Sequence, residues 1–281
     1  MCEREQPPRE VSAYSRRLAE TLNVSSGGRL VGAYLHGSAA LGGWLPSRSD
    51  VDLLFVIEDA PTAEVLPALE QVLVDSAPAC PGTGLECSVV SATQASTPRA
   101  PWPFLLHAQS SKGQPTRVIQ GTTVDGDPDL LMHYLVCRAC GVPVLGSEPQ
   151  AVFGTVPRSI VLAHLAAELL WGVKHGSEAY AVLNACRALV YATQGNIVSK
   201  IEGGRRSLDQ SLGPPGVVAR ALDEQRGMSP PKTVAADAAA FVRLAADRLQ
   251  SAQDSEEVGP VAADRLQSAQ DSEEVGPVAA D

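Results

Sequence analysis

The 281-residue chain has no apolar run long enough to cross a membrane and none at its amino terminus, where "MCEREQPPRE" is charged and proline-rich. A membrane helix needs about 20 apolar residues, and a secretory leader needs an apolar stretch of its own. No membrane partner is therefore expected, and the expected location is cytoplasmic. Positive charge is also short: 22 Lys and Arg stand against 32 Asp and Glu, a net charge of -10. A nucleic-acid surface needs clustered cations, so no nucleic-acid partner is expected, whereas a small cationic substrate suits an acidic chain. Cysteine is sparse and scattered, six in all at Cys2, Cys80, Cys87, Cys137, Cys140 and Cys186. That dispersal argues against a disulfide framework.

What is present is enough apolar content, 44%, for two compact units. Up to about residue 125 strands and helices alternate. Residues 9–25 read as a helix, 28–36 and 51–57 as strands, 60–77 as a helix with Pro67 inside it, 84–91 as a strand and "TRVIQG" as a short one. Beyond that point the pattern turns helical. "DPDLLMHYLVCRAC" offers an Asp cap with Pro after it, and "PRSIVLAHLAAELLWGVKH" and "EAYAVLNACRALVYATQG" repeat apolar residues at three and four. The expected fold is an α/β N-terminal domain with a mixed sheet, residues 1–125, followed by an all-α helical domain, residues 126–250.

Residues 251–281 form a third region. "AADRLQSAQDSEEVGPV" occupies 245–261 and recurs identically at 262–278. A 17-residue shift turns a helical face by about 260°, so the second copy cannot extend the first copy's packing stripe. Gly259-Pro260 should break the helix, and a duplicated, largely disordered tail is expected.

The chemistry concentrates in "YLHGSAALGGWLPSRSDVDLLFVIED", residues 34–59. Asp50 and Asp52 are two apart, so in a strand they share a face. Adjacent carboxylates repel unless a cation joins them, and a divalent metal is the obvious candidate. Gly37-Ser38 ends the preceding strand in a turn where backbone amides and a hydroxyl can hold phosphate oxygens. Glu86 stands near the start of the 84–91 strand, and if that strand lies beside the Asp strand three carboxylates converge. Other residues invite other readings. His133, Cys137 and Cys140 share a helical face and could present soft metal ligands, though a packed core face is the plainer reading. Arg187 sits among apolar neighbours in "NACRALVYA", where a guanidinium needs an anion. Trp102, between two prolines, reads as a packed loop anchor.

Gly-Ser, about a dozen residues, Asp-x-Asp and a later acid together resemble the nucleotidyltransferase superfamily typified by DNA polymerase β. With "DPDLLMHYLVCRACGVPVLG" and "VLNACRALVYATQGNIVSK" added, residues 30–210 resemble the aminoglycoside O-adenylyltransferases that modify streptomycin or spectinomycin. The resemblance implies a monomeric enzyme that moves AMP from ATP to a hydroxyl of a small cationic antibiotic bound between its two domains. It implies Gly37, Ser38, Ser49, Arg187 and Lys200 at ATP, Asp50 and Asp52 on Mg2+, and Glu86 as the base beside that metal. Glu86, Ser177 and Glu178 would meet the antibiotic, with Ser177-Glu178 standing where the family carries an amine-binding acid. The short "WGVKHG" loop and the smaller set of acids favour spectinomycin over streptomycin. A protein-adenylylating enzyme and a catalytically silent nucleotide-binding protein are the alternatives.

Overall fold

The computed structural model describes residues 6–62 and 64–273, with side chains up to residue 256. Helix α1 (Arg9–Ser25) leads into strand β1 (Leu30–Leu35), a single turn α2 (Gly37–Ala40), β2 (Val51–Ile57), α3 (Val65–Ser76), β3 (Leu85–Ser91), α4 (Ala92–Ser96), β4 (Leu106–Gln109) and β5 (Arg117–Gln120). Then come α5 (Leu130–Cys140), β6 (Val142–Gly146), α6 (Pro149–Val152) and the helices α7 (Arg158–His175), α8 (Glu178–Gln194), α9 (Lys200–Asp209), α10 (Pro215–Gln225) and α11 (Ala236–Glu273).

The strands form one mixed sheet in the order β5-β4-β3-β2-β1-β6. Only β2 and β3 run parallel, with Asp52 opposite Glu86; the other neighbours are antiparallel. Side chains alternate across the sheet. Leu53, Phe55 and Ile57 of β2 pack under α1 and α3, while Leu54 and Val56 face the opposite layer with Tyr134 and Cys137 of α5 and with Trp102. Trp102 is thus a packed anchor, as expected. A separate core joins Leu162 and Ala166 of α7, Val182 and Leu189 of α8, Val218 of α10 and Val242 and Leu249 of α11.

The mixed sheet and the helical second half match the expected fold class, and the differences are local. Strands β4 and β6 were not anticipated, because "LHAQ" and "VPVLG" are too short to show a period. The sheet draws β6 from beyond residue 125, where the helical region was expected to begin. Helix α5 starts at Leu130 with Asp129 as its cap. The Asp127 carboxylate accepts the Asp129 amide instead. Helix α11 runs through residue 251 and through Gly259-Pro260 to Glu273, where a disordered tail was expected; residues 274–281 lie outside the described residues. Of the described cysteines, Cys80, Cys87, Cys137 and Cys186 are free thiols and Cys140 is disulfide-bonded. Among the described residues, no helix is long and apolar enough to cross a membrane.

Candidate active site

The β2–β3 register decides where the acids go. Asp50 precedes β2, Asp52 is its second residue, and the parallel ladder sets Glu86 beside Asp52. One carboxylate oxygen from each of the three lies within 4.8 Å of the others, and each residue is half-buried. Burial, then Asp50 and Glu86, push the Asp52 carboxyl well above the usual range. Burial and Asp50 likewise push Glu86 up to about 7. Partly buried oxygens that repel one another are the donor set a hard divalent cation favours, because its charge removes the repulsion.

The turn after β1 is shaped around this cluster. Gly37 has φ +60°, and a Cβ there would overlap the Asp52 carboxylate. Only glycine tolerates both the left-handed backbone and the contact. The Ser38 amide donates to Asp52, while the Ser38 Oγ is buried with no protein partner. An unsatisfied buried hydroxyl is costly, and an anionic ligand would satisfy it. Gly37 and Ser38, two of the residues expected at ATP, thus stand against Asp52 of the cluster. Ser49, also expected there, is buried, and its Oγ accepts the Leu45 amide at 3.0 Å, which fixes the loop before β2.

Asp52 of the cluster shares a cavity of about 260 Å³ with Arg187 of α8 and Lys200 of α9. The Arg187 Nε donates to the Val198 carbonyl at 2.9 Å and its guanidinium reaches Asn184 Oδ1 at 3.3 Å, with no carboxylate bound to it among the described residues. Burial lowers the pKa of Arg187, and burial together with Arg187 lowers that of Lys200. The two halves meet closely here, since a Cβ on Gly43 would come 2.8 Å from the Ser199 Cβ at the head of α9.

Ser177 and Glu178 do not line this cavity. Ser177 caps α8 by accepting the Tyr180 amide at 3.2 Å. Glu178 is buried, bound by the Arg220 Nε at 3.1 Å and by the Ala235 amide at 3.1 Å. The amine-binding expectation for this pair is corrected: a residue in the first turn of α8 faces α10 and α11, away from the cleft. The acids that do line the cavity are Asp52, Asp129 and Glu168. Glu168 accepts the Tyr180 hydroxyl.

His36 was also missed as a site residue, and His133 was considered only as a soft metal ligand. Their rings lie 4.7 Å apart, and the His133 Nε2 is 4.0 Å from Glu86 Oε1. His133, Cys137 and Cys140 do not gather as metal ligands: among the described residues, Asp50, Asp52 and Glu86 are the cluster that could hold an ion. A signal for the missed residues existed. Tyr180, Asn184 and Arg187 recur at four and three along α8, and His164 and Glu168 lie four apart in an apolar stretch of α7, each set on one helical face.

Comparison with known proteins finds two similarities. Residues 151–248 match the family model of the aminoglycoside adenylyltransferase C-terminal domain. The helical half is thus similar to that C-terminal domain. Across both halves, the fold is similar to the crystal structure of spectinomycin adenyltransferase AAD(9) from Enterococcus faecialis with ATP and spectinomycin. The TM-score is 0.59 at 16% identity, over 86% of this chain and 98% of that one. No curated protein matches the sequence significantly. The resemblance seen in the sequence is thus matched by a family model over residues 151–248, and the fold of most of the chain is similar to that of a solved adenyltransferase. Arg187, Lys200, Glu168 and Tyr180 all lie within the matched residues 151–248, and the three carboxylates lie outside them.

Proposed function

We propose that the protein transfers AMP from ATP to a hydroxyl group of a spectinomycin-type aminoglycoside, with Mg2+ as its metal. The observation that carries this reading is the three-carboxylate cluster set by the Asp52–Glu86 register, whose Asp52 shares one cavity with Arg187 and Lys200. A cluster of acids opposite paired cations suits a metal-bound polyphosphate better than any neutral ligand.

The roles follow from the groups present. Gly37 and Ser38 would hold phosphate oxygens with the backbone and the unpartnered Oγ, and Arg187 and Lys200 would balance triphosphate charge from the other wall. Asp50 and Asp52 would hold the metal, which supplies charge neutralisation at the α-phosphate. Glu86, with a pKa raised to about 7, is suited to take the proton of the acceptor hydroxyl as its oxygen attacks the α-phosphorus and pyrophosphate leaves. Ser49 keeps a supporting role through the loop it staples.

The acceptor would enter the apolar and acidic side of the cavity, where Met132, Leu165 and Leu169 line walls that also carry Asp129 and Glu168. Few acids in a compact space suit a small acceptor with few amines, so spectinomycin is favoured over the more cationic streptomycin. The fold similarity to a spectinomycin adenyltransferase supports the same choice.

Mass spectrometry tests this directly. Purified protein incubated with MgATP and a panel of aminoglycosides should add the mass of one AMP to spectinomycin. Transfer to streptomycin alone would overturn the specificity. Modification of no drug, with AMP found on a protein, would favour the protein-adenylylating alternative.

A further inference from the structure

Lys200 poses a problem that the transfer reaction alone does not solve. It is the first residue of α9 and faces the carboxylate wall, yet among the described residues its ammonium makes no ion pair. A free lysine has four rotatable bonds and would lose much rotamer freedom on meeting a phosphate. Its Nζ instead sits over the Tyr180 ring, 5.0 Å from the centroid. An aromatic face attracts a cation, more strongly where water is excluded.

Tyr180 is itself held from several sides. Its amide donates to the Ser177 Oγ at 3.2 Å. Its hydroxyl donates to Glu168 on α7. The Trp171 ring meets it edge-on at 6.0 Å, and the Gly172 and Gly176 backbones lie against it. A residue of α7 thus fixes a ring on α8, and that ring carries the lysine of α9.

We propose that Tyr180 is a positioning residue that holds the Lys200 ammonium in place for the phosphates of ATP, its ring under the cation and its hydroxyl anchored on Glu168. The inference rests on the AMP-transfer reading above and adds a residue to it. Tyr180 acts through Lys200: it prepays the ordering of that side chain, so ATP binding loses less entropy. The ring carries the effect, and the hydroxyl fixes the plane of the ring.

Titration calorimetry of the full chain with ATP and Mg2+ tests the assignment on Tyr180→Leu, Tyr180→Phe, Lys200→Met and the Tyr180→Leu/Lys200→Met double variant, each with a melting curve. Tyr180→Leu should weaken ATP binding about tenfold, and Tyr180→Phe, which keeps the ring, should restore most of it. In the Lys200→Met background, Tyr180→Leu should add no further loss, because the two act as one unit. If Tyr180→Leu melts early, the unbranched Tyr180→Met replaces it. Wild-type affinity in the ring-less variant, a Tyr180→Phe loss as large as that of Tyr180→Leu, or additive losses in the double variant would each overturn the proposal. Failure of the wild-type protein to bind ATP would instead overturn the AMP-transfer reading, and this inference with it.

Discussion

At position 37 no side chain fits, because the backbone is left-handed and the space beside it is filled by the Asp52 carboxylate. That contact ties the turn after β1 to the charge state of one residue. Asp50→Asn or Asp52→Asn removes one charge from a cluster whose members repel one another. Mg2+ should raise the melting temperature of the wild-type protein by relieving that repulsion, and either substitution should shrink the increment, as thermal scans with and without Mg2+ would show. Turnover should fall by about a hundredfold or more in both. Glu86→Gln should also lose about a hundredfold in turnover yet still bind MgATP, which separates a base from an anchor in a kinetic and calorimetric comparison. Glu178 belongs to a different account. It is buried and accepts from Arg220 and from the Ala235 amide, so Glu178→Ala leaves a buried amide unpaired. The expected loss is about 2 kcal/mol of stability, seen as a lower melting temperature, with acceptor affinity unchanged in the protein that remains folded.

Among the elements, legibility followed period and length. Helices α1, α7 and α8 were readable from their apolar spacing, and Gly195 closes α8 in the left-handed conformation that its sequence announces. Strand β2 was readable because a polar pair gives way to an unbroken apolar run. The pairing of β2 with β3 could be posed only as a condition, since no local signal says which strands are neighbours. Once it holds, the register brings Asp52 and Glu86 together, and a slip of one residue would send Glu86 to the other face. Short strands such as β4 and β6 escaped for want of periodicity. The error at Glu178 has a physical cause too: an acid at a helix start can face the cleft or stabilise the helix end, and sequence alone does not give the rotation of α8 about its axis. Glu168 and Tyr180 were missed because each sits in a helix that also carries core residues, and the four-residue spacing that links each to its neighbours shows its purpose only when the facing helix is in place.

On the scale of the whole molecule, the site is shared between a sheet that supplies negative charge and helices that supply positive charge. Helix α11 belongs to the second half through Phe241, Val242, Ala245 and Leu249, which pack against α7 and α8. Ending the chain after residue 261 keeps these residues and the Arg158–Glu256 ion pair, so AMP transfer and melting temperature should match the full chain. Ending it after residue 235 uncovers Leu162, Val182 and Leu189, and the helical half should lose cooperative unfolding in calorimetry, with ATP binding lost along with it.

The position of α11 also bears on the order in which the protein takes shape as it leaves the ribosome. All six strands and the three carboxylates are present once residue 146 has emerged, and a nascent chain folds from its N-terminal side. Arg187 and Lys200 emerge later, and the core that seats α8 is complete only after Leu249. For that interval the newborn protein carries its three clustered acids without Arg187 and Lys200. If the proposed roles hold, about a third of its synthesis passes with a site that could gather a divalent ion but not yet grip a nucleotide, until its last packed helix arrives.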